Sequence, residues 1–307
     1  VLNLKEEKMK KCLVIGSTVC DVIIYVDKLP KRSEDVHVKS QSLSLGGCAY
    51  NVVSVLHNLD IDYVFISPVG RGMYGDFVRE ELKKKNIKTE IFLEEDNGCC
   101  YCLIDSSGER SFMSYHKCEY TFSPSWVSSY NLDDFSYIYV CGLEIEDRDG
   151  EILSDTISKF SGTIIFAPGP RVNMIDEKLL AKIYKSHPII HLNEDELKDI
   201  TKTKNIDEAL EKLYKKTQNT IIVTLGDKGS LYFDGKECKK VRGYKANVQD
   251  TVGAGDSHIG AIMSCLSKGK TLEQALDFAN LLSSKIVETQ GVNLSKETYD
   301  KLRKILA

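Results

Sequence analysis

No run of about 18 apolar residues occurs in this 307-residue chain, so no segment reads as a bilayer-spanning helix. The N-terminal VLNLKEEKMKKCLVIG lacks the apolar stretch and small-residue cleavage site of a secretory signal. Met9 reads as a natural start, and residues 1–9 as an N-terminal extension. Positive charge is not in excess: 41 Lys and Arg face 45 Asp and Glu, a formal net charge of −4. That balance gives no bulk attraction to nucleic acid or to an anionic membrane. Basic residues gather only in short runs such as Lys83, Lys84 and Lys85, which read as a solvated helix face. Internal repeats, low-complexity linkers and clear domain breaks are all missing, so residues 10–307 are read as one domain.

The composition suits a globular protein with a full core: 42% hydrophobic and 28% charged residues. Ten cysteines are present, without the spacing or short length of a secreted disulfide scaffold. Cys12, Cys20, Cys48, Cys141 and Cys265 lie in apolar stretches and read as buried thiols of a cytoplasmic protein. Cys99, Cys100, Cys102 and Cys118 form a group that suggests a metal. However, CCYCLI reads as a strand whose alternation splits its thiols between two faces, and no His or Cys pair follows at zinc-finger spacing.

Residues 12–16 (CLVIG) read as a buried strand. DVIIYVDKLP follows, then DVHVKSQSLSLGG, which alternates like a half-exposed antiparallel strand. Apolar groups at 52, 55, 56 and 59 predict a helix over 47–59. YVFISPVG (63–70) predicts one strand, and residues 75–87 an amphipathic helix. IFLEED, CCYCLID and RSFMSYH predict a small antiparallel sheet shared with residues 35–45, the two parts spanning about 20–45 and 90–116. From 137 onward strands and helices alternate regularly, the signature of a parallel sheet covered on both faces. SLYFDGKECKKV reads as a hairpin turning at Asp234-Gly235.

Residues 250–256 read DTVGAGD, with Gly253 and Gly255 opening an amphipathic helix. A helix N-terminus offers unpaired N–H groups and partial positive charge, and glycine lets a phosphate approach them. Asp256 sits beside those donors, placed to act as a general base toward a hydroxyl. The turn is no P-loop, because no Lys-Ser/Thr follows its glycines. It is no dinucleotide fingerprint either, because its spacing and its place near the C-terminus differ.

This string resembles the second signature of the PfkB carbohydrate kinases, the family of ribokinase, fructokinase and adenosine kinase. Further motifs agree in the family's order. Gly46, Gly47 and Asn51 in GGCAYN resemble the first signature, which holds substrate hydroxyls, and Asp21 resembles the substrate-binding Asp. Asn193 and Glu196 in NEDE resemble the motif that organises Mg²⁺ and phosphate. Thr224, Gly226 and Gly229 in VTLGDKG resemble the strand and turn under the nucleotide, and Asn280 falls where the family lines its adenine pocket. The resemblance runs from about residue 10 to the end. It implies an α/β fold, a ribokinase-like αβα sandwich with a mostly parallel central sheet and a small β-sheet lid. It implies ATP and Mg²⁺, with Asp256 as base and the N–H groups of Gly253, Ala254 and Gly255 as the anion hole. It also implies a monovalent cation, K⁺, near Asp250 and the carbonyls of Val252 and Gly291. Pairing of two lids into a homodimer is a further implication.

Several positions depart from the pattern. His258 stands where a bulky apolar residue is usual, and reads as a packed core histidine or an active-site contact. Arg171 in FAPGPR reads as a surface arginine or a phosphate contact. Glu144, at the end of a core strand, reads as a substrate ligand or a solvent-facing carboxylate. His116 reads as an exposed lid residue. The acceptor is expected to be a small sugar. A nucleoside stays open, with Tyr25, Tyr50, Phe112 and Tyr115 as a candidate wall for its base. A non-catalytic sugar-binding regulator is a third reading, disfavoured by the intact DTVGAGD.

Overall fold

The computed structural model describes residues 11–146 and 148–307. The expectation for residues 1–9 lies outside them. Alternate residues of the first strand, β1 (Lys11–Ile15), enter two different cores. Cys12 and Val14 join one buried cluster, Leu13 and Ile15 the other. A strand buried on both faces reads as a continuous apolar run, which is why CLVI shows no polar alternation. Two strands, β2 (Val19–Val26) and β3 (Val38–Gly46), lead to helix α1 (Cys48–Asn58), then β4 (Tyr63–Ile66), β5 (Val69–Arg71), α2 (Gly72–Lys84), β6 (Phe92–Asp96), β7 (Cys99–Ile104) and β8 (Arg110–Tyr115).

The alternating half follows: β9 (Phe135–Cys141), α3 (Gly142–Glu146), α4 (Gly150–Ile157), β10 (Thr163–Ala167), α5 (Glu177–Lys185), β11 (Ile189–Asn193), α6 (Glu194–Thr201), α7 (Ile206–Thr217) and β12 (Ile221–Thr224). The hairpin β13 (Ser230–Phe233) and β14 (Cys238–Val241) and the helices α8 (Ala254–Ser267), α9 (Leu272–Ile286) and α10 (Lys296–Leu306) complete the chain. The main sheet has the order β14-β13-β12-β11-β10-β9-β1-β4. Its pairs are parallel from β4 to β12 and antiparallel through the hairpin. Apolar residues of α1, α8, α9 and α10 cover one face, and those of α3 to α7 the other. This is the expected αβα sandwich with a separate small sheet.

The small sheet differs from the sequence reading in two ways. Its order is β3-β2-β7-β8, and β2 pairs β7 in parallel, so it is mixed rather than antiparallel. The segment IFLEED does not join it: β6 pairs in parallel with β5. Pro68 explains part of this. Lacking an N–H and holding Ser67 extended, it splits the expected single strand over 63–70 into β4 and β5. Helix α2 starts and stops three residues before the expected bounds, and Asn86 in the left-handed region follows its end. Alternation along β7 does split the thiols: Cys102 shares the pocket-facing side with Ile104, while Cys99 points away into the core.

Candidate active site

Gly253 adopts φ 72 and caps helix α8, placing Asp256 in that helix's first turn. Asp256 is half-buried, and its partial removal from water raises its pKa to about 6, against the Asn51 hydrogen bond, which lowers it. Asn51 Nδ2 donates to Asp256 Oδ2 at 2.9 Å, so the N-terminal turns of α1 and α8, which pack along each other at Val52, Val55 and Gly260, meet at the expected base. A Cβ on Gly255 would meet nothing within 4 Å, whereas one on Gly253 would lie 2.5 Å from Val292 Cγ1. The cradle is therefore open at Gly255. Of the three N–H groups expected there, that of Ala254 is turned onto the Thr251 carbonyl at 3.3 Å. Among the described residues, those of Gly253 and Gly255 meet no acceptor.

The first signature packs tightly around Asp21. Its carboxylate fills the space where Gly46 would carry a Cβ, 2.0 Å from Oδ2. Gly47, at φ 97, leaves room for the Ser17 carbonyl. Burial first, and then the charge of Asp250, push Asp21 up to about 7. Asp21, Asn51, Arg110, Phe112 and Asp250 line one pocket between the small sheet and the phosphate turn. Glu144 is not solvent-facing: it is 5% exposed. Its Oε1 accepts from Ser17 N and Ser17 Oγ, both at 2.9 Å, while Oε2 is buried without a partner. Burial raises its pKa to about 7.

A second cavity of about 300 Å³ lies across α8. Thr224, Gly226, Gly229, Gly255, His258 and Asn280 are among its lining, so one cavity gathers the motifs expected at the nucleotide. Gly229 is required by close packing, since its Cβ would lie 2.3 Å from the Val241 carbonyl oxygen. Asn280 lines the wall, but its amide is engaged internally. Its Nδ2 donates to the carbonyls of Val241 (3.4 Å) and Arg242 (3.0 Å), and its Oδ1 faces His258 Nε2 at 3.0 Å. Nε2 of His258 must then carry the proton, leaving Nδ1 to accept from His191 Nε2 at 2.9 Å. Burial holds both imidazoles neutral, with His258 lowered to about 4. His258 is thus a packed core histidine and a wall of the cavity at once.

Asn193 and Glu196 form a helix cap. Asn193 Oδ1 accepts from Glu196 N at 2.8 Å, and Glu196 Oε2 accepts from Asn193 N at 2.9 Å. Glu196 is close enough that its charge raises Asp256. Among the described residues no group of three or more His, Cys, Asp or Glu could hold a metal alone. Glu196 is the carboxylate that could contribute to Mg²⁺, an ion that takes few protein carboxylates and completes its shell with phosphates and water. The monovalent cation does not fit. Asp250 Oδ1 accepts from Arg110 Nη1 and from Val252 N at 2.7 Å, and Oδ2 accepts from Gly291 N at 3.0 Å. A guanidinium already meets the charge assigned to the ion.

Arg171 pairs with Glu146 through Nε at 2.9 Å and through Nη2, which favours the surface reading. His116 stacks on Tyr120 at 3.8 Å between ring centroids. Tyr50 is a core residue, 1% exposed, and of the four candidate aromatics Phe112 alone lines the sugar-side pocket. Sequence reasoning passed over Ser17 and His191. A histidine in the apolar strand PIIHLN was the available signal, since alternation puts it on the face that α8 covers.

The pattern of the pfkB family carbohydrate kinases matches residues 9–299. The chain belongs to that family. The kinase is 30% identical over 285 residues to an uncharacterized sugar kinase, YegV, of Escherichia coli, covering 91% of this chain and 89% of that one. It is 25% identical over 307 residues to a ribokinase of Staphylococcus aureus, covering 96% and 99%. Its fold superposes on the crystal structure of a ribokinase from Thermotoga maritima with a TM-score of 0.83 at 23% identity, covering 96% and 99%.

Proposed function

We propose that this kinase transfers the γ-phosphoryl group of ATP to a hydroxyl of a small sugar, with Asp256 as the base. The observation that carries this reading is the half-buried Asp256 carboxylate, held by Asn51, which lines the sugar-side pocket, and following Gly255, whose open cradle lines the other cavity. A pKa of about 6 leaves it ionised at neutral pH yet more basic than an ordinary aspartate. ATP supplies the phosphoryl group, and Mg²⁺ offsets the charge of its phosphates. Asp21, Asn51 and the free Oε2 of Glu144 orient the sugar hydroxyls. Asp256 accepts the proton of the attacking hydroxyl. The N–H groups of Gly253 and Gly255 steady negative charge on the transferred group, and Glu196 helps to place the metal. The small sheet, as a lid over the sugar-side pocket, excludes water.

The sugar reading is preferred to a nucleoside because the candidate aromatic wall is reduced to Phe112. All ten cysteines are free, which suits a reducing cytoplasm. β3 and β8 are open edges of the small sheet, and Val38, Met113 and Tyr115 are exposed there, which suits pairing with a second copy. Acceptor-stimulated ADP release across a panel of sugars and nucleosides tests the assignment. Stimulation by a sugar supports it, and stimulation by nucleosides alone replaces it.

A further inference from the structure

Arg110 reaches from β8 to Asp250, 140 residues further along the chain. Both side chains are largely buried, 17% and 10% exposed. The carboxylate they share also holds the N–H groups of Val252 and Gly291. Asp250 therefore knits two backbone segments beside the phosphate turn, and its charge needs a partner in a place that water does not reach freely. A second cation at the same carboxylate would lie within a few ångströms of a guanidinium that cannot lose its proton, in surroundings where like charges repel more strongly than in water.

We propose that Arg110 is this enzyme's built-in monovalent cation, delivered to the phosphate turn by the sheet that covers the sugar. A free ion would bind the turn on its own. A guanidinium on β8 is tied to that sheet, where Arg110 pairs in register with Ile104 and stands two residues from Phe112, both lining the same pocket. The turn that carries Gly253, Gly255 and Asp256 therefore receives its counter-charge only when the sheet lies over the pocket. Arg110 acts through Asp250, as a positioning residue. The inference rests on the kinase reading only for its effect on rate, since the ion pair is a property of the free protein.

The test is thermal unfolding of the free protein in choline chloride against KCl at equal ionic strength, for wild type, Arg110→Lys and Arg110→Gln, with ADP release measured in the same salts. Wild type and Arg110→Lys are expected to unfold at the same temperature in both salts and to turn over at the same rate. Arg110→Gln is expected to be stabilised by KCl, and to lose at least ~10-fold in rate in choline and regain it in KCl. A rise in Tm or rate of the wild type with KCl overturns the proposal, as does an Arg110→Gln variant indifferent to the salt. The thermal measurement needs no acceptor, so its failure is distinct from failure of the sugar assignment.

Discussion

Asn51 and Asp256 lie 205 residues apart in sequence, and their side chains meet at 2.9 Å. The contact joins the start of α1, on the sugar side, to the start of α8, on the phosphate side. It sets one limit on the base: the amide favours the ionised carboxylate, while burial disfavours it more strongly, and about 6 is the balance.

The acid limb of kcat/KM should therefore lie at about pH 6 or above, since a base must be ionised to act and two further carboxylates, Asp21 and Glu144, are raised to about 7. A pH–rate profile checks this. A profile flat down to about pH 4, where an ordinary aspartate titrates, contradicts it.

Gly255→Val separates folding from phosphate binding. The side chain enters open space in the free protein, so stability should change by no more than about 0.5 kcal/mol. The KM for ATP should rise at least ~10-fold as the cradle is filled. Gly253→Ala should instead destabilise the fold, because φ 72 and Val292 both oppose a Cβ. Calorimetry and ATP kinetics distinguish the two variants, and unchanged KM and kcat in Gly255→Val would remove the cradle from the phosphate site.

His258→Phe restores the apolar residue usual at this position of the PfkB pattern, but leaves His191 Nε2 and Asn280 Oδ1 without their partner. The expected cost is at least about 2 kcal/mol of stability. The KM for ATP should suffer more than that for sugar, since His258 and Asn280 wall the 300 Å³ cavity. Chemical denaturation and two-substrate kinetics check both, and an unaltered midpoint would show that the imidazole chain contributes nothing to stability.

Glu144→Gln should stabilise the free protein more at pH 8 than at pH 5. The folded pKa of about 7 exceeds the usual value of 4.5. The carboxyl's contribution is thus intact below about pH 4 and lost as pH rises through about 7. Above that pH the buried charge costs about 3 kcal/mol, which glutamine does not incur. Thermal unfolding at the two pH values decides it, and an equal or larger gain at pH 5 contradicts the assignment.

The alternating strands and helices from 137 onward were legible because each strand is a local apolar run and each helix has its own period. The small sheet was legible as strands but not as pairings. Nothing near CCYCLI in sequence reveals that β7 lies parallel to β2, or that IFLEED leaves for β5. At the site, Asp256, Asn51, Asp21 and Gly255 stood in motifs and came together as expected. The Ala254 N–H did not follow, because the turn satisfies it internally. The partner of Asp250 is not legible for a related reason: the charge that meets it comes from a strand 140 residues away, and no local pattern carries such a pairing.

The most direct test of the central claim is the turnover and ATP affinity of Asp256→Asn with the best sugar acceptor. If Asp256 is the base, kcat falls at least ~10²-fold while ATP binds as in the wild type. Turnover like that of the wild type would take the proton transfer away from Asp256 and leave the two cavities without the reaction assigned to them.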